Sequence, residues 1–67
     1  MKELAQLDVT DNKRLILSIG EYRGVERIDL RQYIKVKDDW IATKRGINFC
    51  SEWVDKFKDM MKKLDAV

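Results

Sequence analysis

Three observations on this 67-residue chain predict an α+β fold, a four-stranded antiparallel curved sheet followed by one C-terminal α-helix. Apolar and polar residues alternate from Lys13 to Phe49, the period of strands with one wet face. Gly and Asp punctuate that stretch where turns are needed. From Ser51 the apolar period lengthens to three and four residues, as on an amphipathic helix.

Residues 1–12 alternate only weakly, through Leu7 and Val9, and end in a turn-like Asp11-Asn12. They read as an edge strand or a flexible tail, with residues 13–67 forming the single domain. From Lys13, Leu15, Leu17 and Ile19 alternate with Arg14, Ile16 and Ser18. Arg23-Gly24 supplies a turn, because glycine takes the positive φ of a tight hairpin. As a two-residue loop it sets Tyr22 opposite Val25, Ile19 opposite Ile28 and Leu17 opposite Leu30, and a one-residue slip would expose all of these apolar side chains.

The next strand, Val25 to Val36, turns Ile28, Leu30, Ile34 and Val36 inward, leaving Arg27, Asp29, Arg31, Tyr33 and Lys35 on the other face. Asp38-Asp39 is expected as the second turn, setting Val36 opposite Ile41, Lys37 opposite Trp40 and Tyr33 opposite Lys44. Gly46 is expected to break the run, with Ile47 and Phe49 opening another strand. Beyond Ser51, a competent N-cap, the residues Trp53, Phe57, Met60 and Leu64, widened by Val54 and Met61, form one helical stripe. Glu52 and Asp55 near its start, and Lys62 and Lys63 near its end, complement the helix dipole.

A domain this short buries only roughly 60% of its unfolded surface and needs added support. Cys50 is the sole cysteine and histidine is absent, so neither an internal disulfide nor a Cys/His metal site is available. Oligomerisation remains, and the helix stripe of Trp53, Phe57, Met60, Met61 and Leu64 is the expected homodimer interface. Runs such as Leu15-Ile16-Leu17 fall far short of the ~20 apolar residues of a membrane span. No apolar segment of a signal peptide follows Met1-Lys2-Glu3, so the chain reads as intracellular. There is no nucleophile elbow, Gly-rich phosphate loop or carboxylate cluster either, so a non-enzyme without cofactor or metal is expected.

The net charge of +2 hides an asymmetry. Residues 1–11 carry −2, residues 12–48 carry +4 and residues 49–67 are neutral. The positive segment also holds Tyr22, Tyr33 and Trp40 on the wet side of the expected sheet, although large rings are normally used in cores. Cations for phosphates beside flat rings for bases are what sequence-tolerant binding of a single strand requires. A solvated sheet face is the plainer reading, and a surface that docks a transcription or replication protein is the rival one.

Tyr22-Arg23-Gly24, Ile28-Asp29-Leu30-Arg31-Gln32-Tyr33, Lys44-Arg45-Gly46-Ile47 and Trp53 together resemble the C-terminal domain of the transcriptional coactivator positive cofactor four, including its small bacterial and phage-like relatives. The resemblance runs from about Lys13 to the end. It implies a β-β-β-β-α protomer, a homodimer joined through helices and adjoining strands, and single-stranded DNA held on protruding ribbons; RNA is the alternative strand for the same cationic and aromatic face. It transfers base stacking to Tyr22 and phosphate contact to Lys13, Arg23, Arg31, Lys44 and Arg45. Where the family often has Trp after the strand Tyr this chain has Ile34, and Val25 replaces a turn-adjacent Lys, so Trp40 and Arg27 stand as replacements. Trp40 either stacks on a base, caps the sheet's end or packs into a dimer contact, and Arg31 either meets a phosphate or pairs with Asp29. The Ser-rich region of the eukaryotic coactivators is absent.

Overall fold

The computed structural model describes residues 1–67 and is one sheet thick over most of its area, measuring 38 × 37 × 18 Å. Four antiparallel strands, β1 (Lys2–Thr10), β2 (Lys13–Tyr22), β3 (Val25–Val36) and β4 (Asp39–Cys50), follow one another across an open curved sheet in chain order. A 3₁₀ turn (Ser51–Trp53), helix α1 (Val54–Met61) and a second 3₁₀ segment (Lys62–Ala66) complete the chain. No helix is long and apolar enough to cross a membrane.

The register of β2 with β3 is the expected one, with Tyr22 opposite Val25, Ile19 opposite Ile28 and Leu17 opposite Leu30. Arg23 and Gly24 take φ of 52° and 77°, the paired left-handed conformation whose twist matches a two-residue hairpin. Side chains alternate across a strand, so β2 and β3 present Leu15, Leu17, Ile19, Ile28, Leu30 and Ile34 on one face. The other carries Arg14, Ile16, Ser18, Arg27, Asp29, Arg31, Tyr33 and Lys35.

Of the two readings of residues 1–12, edge strand or tail, the structure has the edge strand: residues 2–10 pair with β2 through Leu7–Leu15 and Gln6–Ile16 despite two irregularities. Other expectations are corrected. The second turn is Lys37-Asp38, with φ of 48° and 67°, so Ile34 faces Ile41, Lys35 faces Trp40 and Tyr33 faces Ala42. Asp39 closes the ladder opposite Val36 instead of sitting in the loop. Gly46 does not break the strand: β4 is continuous, and the sheet reaches four strands through β1 rather than through a separate Ile47–Phe49 strand.

Gly46 stands beside a wide bulge in β4. Arg31 faces Gly46 and Tyr33 faces Ala42, so Thr43, Lys44 and Arg45 together oppose Gln32. A Cβ on Gly46 would lie 2.6 Å from the Leu30 carbonyl oxygen and 2.8 Å from Arg31 Cα. Both obstacles belong to the backbone, and only glycine lets β4 approach there.

The best-buried apolar side chains are Ile16, Ile28 and Phe49, and none is completely enclosed. Ile16 lies on the polar face, opposite Arg31, and was not expected to be buried. Phe49 anchors the helix: its ring stacks on Phe57 at a centroid distance of 5.1 Å and lies 6.4 Å from Trp53. Ser51 does not act as the expected N-cap, because the chain enters α1 through 3₁₀ geometry without a side-chain cap bond. Lys62 and Lys63 fall in the terminal 3₁₀ segment, after α1 has ended.

Candidate functional site

The β2–β3 ribbon projects Tyr22 and Arg23 at its tip. Tyr22 is 64% exposed, and the Arg23 guanidinium carbon lies 5.2 Å from its ring centroid, close enough for a cation–π contact. One step along the same face, Arg27 donates from Nε to Asn48 Oδ1 at 2.8 Å. On the opposite face Glu21 and Glu26 stand directly across from each other. The tip of the ribbon is thus aromatic and cationic on one side and doubly acidic on the other, so an anion has one face to approach.

Farther along β3, Asp29 is 6% exposed. Its Oδ1 accepts from Arg31 Nη2 at 2.9 Å and from Asn48 Nδ2 at 3.4 Å, and its Oδ2 accepts from Arg31 Nε at 3.2 Å. The hydrogen bonds from Arg31 hold the carboxyl below its ordinary range against the opposing effect of burial, with Asn48 assisting. The same pair raises the Arg31 guanidinium above its own ordinary value. Arg31 also donates from Nη1 to the Thr43 carbonyl at 2.8 Å. Three of its five N–H groups are therefore directed inside the protein.

A carboxyl with a depressed native pKa contributes stability above its unfolded pKa of about 3.9 and loses that contribution as pH falls through the native value. The stability gap between the parent and Asp29→Asn is expected to be full at pH 7 and to narrow below about pH 4. Urea midpoints taken across that range check this, and a gap that stays constant with pH would refute it.

Lys44 and Arg45 ride on the bulge. Its shape is fixed by Thr43, whose Oγ1 donates to the Gln32 carbonyl at 2.7 Å and accepts the Arg45 N–H at 3.2 Å. Both basic side chains are exposed at the free edge of the sheet. By strand rise they lie ~24 Å from the ribbon tip.

The other sequence-derived positions fall elsewhere. Lys13 shares its face with Leu15 and Leu17 and pairs across to Ile34, so it joins the apolar face and not the basic one. Trp40 is half-buried, and the guanidinium carbon of Arg14 lies 3.9 Å from its ring centroid. Arg14 is held in turn from β1: Nη1 donates to Gln6 Oε1 at 3.1 Å, and Nε lies 3.1 Å from Asp8 Oδ1 without hydrogen-bond alignment. One face of Trp40 is thus already occupied by a residue that sequence reasoning left unassigned. Pairing β1 with β2 was the missing step, since only that register places Asp8 beside Arg14.

On the apolar face the helix stripe is largely uncovered. Trp53, Met60, Met61 and Leu64 are exposed and Phe57 is half-buried. A groove between Phe49, Trp53, Phe57 and Met60 continues onto Ile47. No group of three or more His, Cys, Asp or Glu side chains is placed to hold a metal ion.

Comparison with known proteins matches residues 9–60 to the family described as Transcriptional Coactivator p15 (PC4). Among solved structures the chain is similar to BPSL1147, a PC4 homolog from Burkholderia pseudomallei. The orthorhombic crystal form gives a TM-score of 0.88 at 23% identity, covering 96% of this chain and 88% of that one. The tetragonal form gives the same score and identity over 96% of each chain. It is also similar to the bacteriophage T5 homolog of the eukaryotic transcription coactivator PC4, implicated in recombination-dependent DNA replication. That match has a TM-score of 0.77 and 19% identity over 96% of this chain and 77% of that one. At these identities the likeness is one of fold. No curated protein matches the chain.

Proposed function

Because the chain belongs to the Transcriptional Coactivator p15 (PC4) family, we propose that it is a homodimer that binds single-stranded DNA without sequence preference. The observation that carries this reading is the two-sidedness of the β2–β3 ribbon, with Tyr22, Arg23 and Arg27 on one face and Glu21 opposite Glu26 on the other. A strand laid on the cationic face meets Arg23, Arg27, Lys44 and Arg45 for its phosphates and Tyr22 for a base. Every base has a π-face, so such stacking discriminates little between sequences. The phage T5 relative, implicated in DNA replication, is consistent with a DNA ligand.

Three sequence-derived contacts change weight. Arg31 is committed to Asp29 and Thr43, and Arg14 already lies over one face of Trp40, so the stacking proposal rests on Tyr22. Lys13, on the apolar face, lies apart from the ribbon's basic face.

The dimer reading rests on the uncovered apolar surface. Besides the helix stripe, Ile41 and Ile47 of the apolar sheet face are each 47% exposed. An apolar area continuous over sheet and helix marks an interaction surface, and a second copy of the same face buries it by two-fold symmetry.

The deciding measurement is fluorescence anisotropy with a labelled mixed-sequence thirty-nucleotide strand, its duplex and its RNA equivalent. The DNA strand is expected to bind more tightly than duplex, whose paired bases cannot reach the ring. Tyr22→Ala is expected to weaken strand binding by about 1–3 kcal/mol, roughly 5- to 150-fold. Parental affinity in Tyr22→Ala would overturn the stacking role of Tyr22, and preference for duplex, or no binding of the strand, would overturn single-strand binding on the ribbon face and favour a protein-docking surface.

A further inference from the structure

Asp29 is the one acid that β3 places on the basic face, and simple Coulomb reasoning makes it a hindrance to anion binding. Its connections argue the reverse. The buried carboxylate grips the Arg31 guanidinium by two hydrogen bonds. The third arm of that guanidinium holds the Thr43 carbonyl, and the Thr43 hydroxyl holds both the Gln32 carbonyl and the Arg45 amide. In the other direction Asn48 donates to Asp29 and accepts from Arg27 Nε. One continuous chain of polar contacts thus runs from Arg27 to the bulge that carries Lys44 and Arg45.

That bulge has little else to define it. Three residues oppose one there, so the backbone ladder is interrupted between Arg31 and Tyr33. Lys44 and Arg45 have no side-chain partner. Where regular strand pairing is missing, the guanidinium fork is the device that sets the backbone path, and a planar fork with five donors suits that task where an ammonium does not.

We propose that Asp29 and Arg31 are positioning residues for anion binding: through Thr43 they fix the bulge that presents Lys44 and Arg45, and through Asn48 they orient Arg27. The pair touches no phosphate itself. The inference rests on the strand-binding function proposed above and names the part of the protein that organises that surface.

The test measures affinity for the same labelled strand, with folding followed by circular dichroism. Asp29→Asn removes a negative charge from a basic face yet is expected to weaken binding at least fivefold. Arg31→Lys keeps the positive charge but cannot span Asp29 and Thr43, so it is expected to bind as poorly as Arg31→Gln. Misplaced Lys44 and Arg45 each lose a phosphate, and the salt slope in Asp29→Asn should become shallower by about 1.4 per ribbon. A purely structural role would leave that slope alone.

If Asp29→Asn fails to fold, Thr43→Val decides. It removes the hydroxyl that ties Gln32 to Arg45 while leaving the Asp29–Arg31 pair in place, and it is expected to weaken binding as well. Parental or tighter binding by Asp29→Asn or, where that variant does not fold, by Thr43→Val, or rescue of Arg31→Gln by Arg31→Lys, would overturn the inference alone. A parent protein that does not bind the strand would overturn the proposed function together with it.

Discussion

Phe57→Asp is expected to abolish the proposed dimer, giving either a particle of the 8.0 kDa chain mass or an unfolded chain. Phe57 stacks on Phe49, the ring that ties helix to sheet, and it also borders the uncovered groove with Trp53 and Met60. Truncating a fully buried Phe costs about 3–5 kcal/mol; Phe57 is half-buried in the protomer and reaches that situation only when a second copy covers it, where a carboxylate adds the cost of an unpaired charge. Sedimentation separates the outcomes: the parent should run at twice the chain mass across micromolar concentrations. A parent that sediments as a folded monomer would remove the dimer from the proposal. Met60→Asp supplies a control farther from the Phe49 stack, expected to dissociate the dimer with less damage to the protomer.

The second large effect is that of salt. If Arg23, Arg27, Lys44 and Arg45 each neutralise a phosphate, log K should fall against log salt with a slope near −0.7 per contact on a single strand, or about −3 for one ribbon. Between 50 and 200 mM salt that slope corresponds to about a sixtyfold loss of affinity. A dimer that engages both ribbons should approach a slope of about −6. The double substitution Lys44→Ala with Arg45→Ala should flatten the slope by about 1.4 per engaged ribbon and weaken all sequences alike. Titrations at four salt concentrations are enough to measure it, and an affinity indifferent to salt would exclude phosphate contact.

How much of this was legible in the sequence depended on how each feature announces itself. Leu15, Leu17, Ile19, Ile28 and Leu30 alternate cleanly around Arg23-Gly24, and only one register keeps them on one face, so the ribbon was readable to the residue. The helix stripe was equally plain, although its entry through 3₁₀ geometry was not. Strand β1 sends no such signal, because all of its side chains are exposed and backbone pairing rather than burial holds it. Adjacent acids at Asp38 and Asp39 drew the second turn one residue too far. Lys37 supplies the first left-handed position, against the usual preference for Asn, Asp or Gly.

Gly46 looked like a stop because a strand-interior glycine is ambiguous between a break and a close approach. Only the three-dimensional path of β4 past Leu30 and Arg31 separates the two. The roles of Arg31 and Trp40 were undecidable for a related reason. Each is a residue type that serves either a ligand or a neighbour, and the neighbours Thr43 and Arg14 lie on other strands. The resemblance to the positive cofactor four family, by contrast, was carried by local strings of residues and needed no tertiary knowledge.

The left-handed backbone of Arg23, φ 52°, sets two optimisation goals against each other. Its place in the turn is one where Asn or Gly would relieve a conformational cost of roughly 1–2 kcal/mol, so a thermostability screen would favour replacing it. The same replacement would take away the cation at the most prominent point of the ribbon. Under the proposed function, the position most readily improved for folding is among those least free to change, and a library sorted only for heat resistance would enrich chains with a quieter ribbon tip.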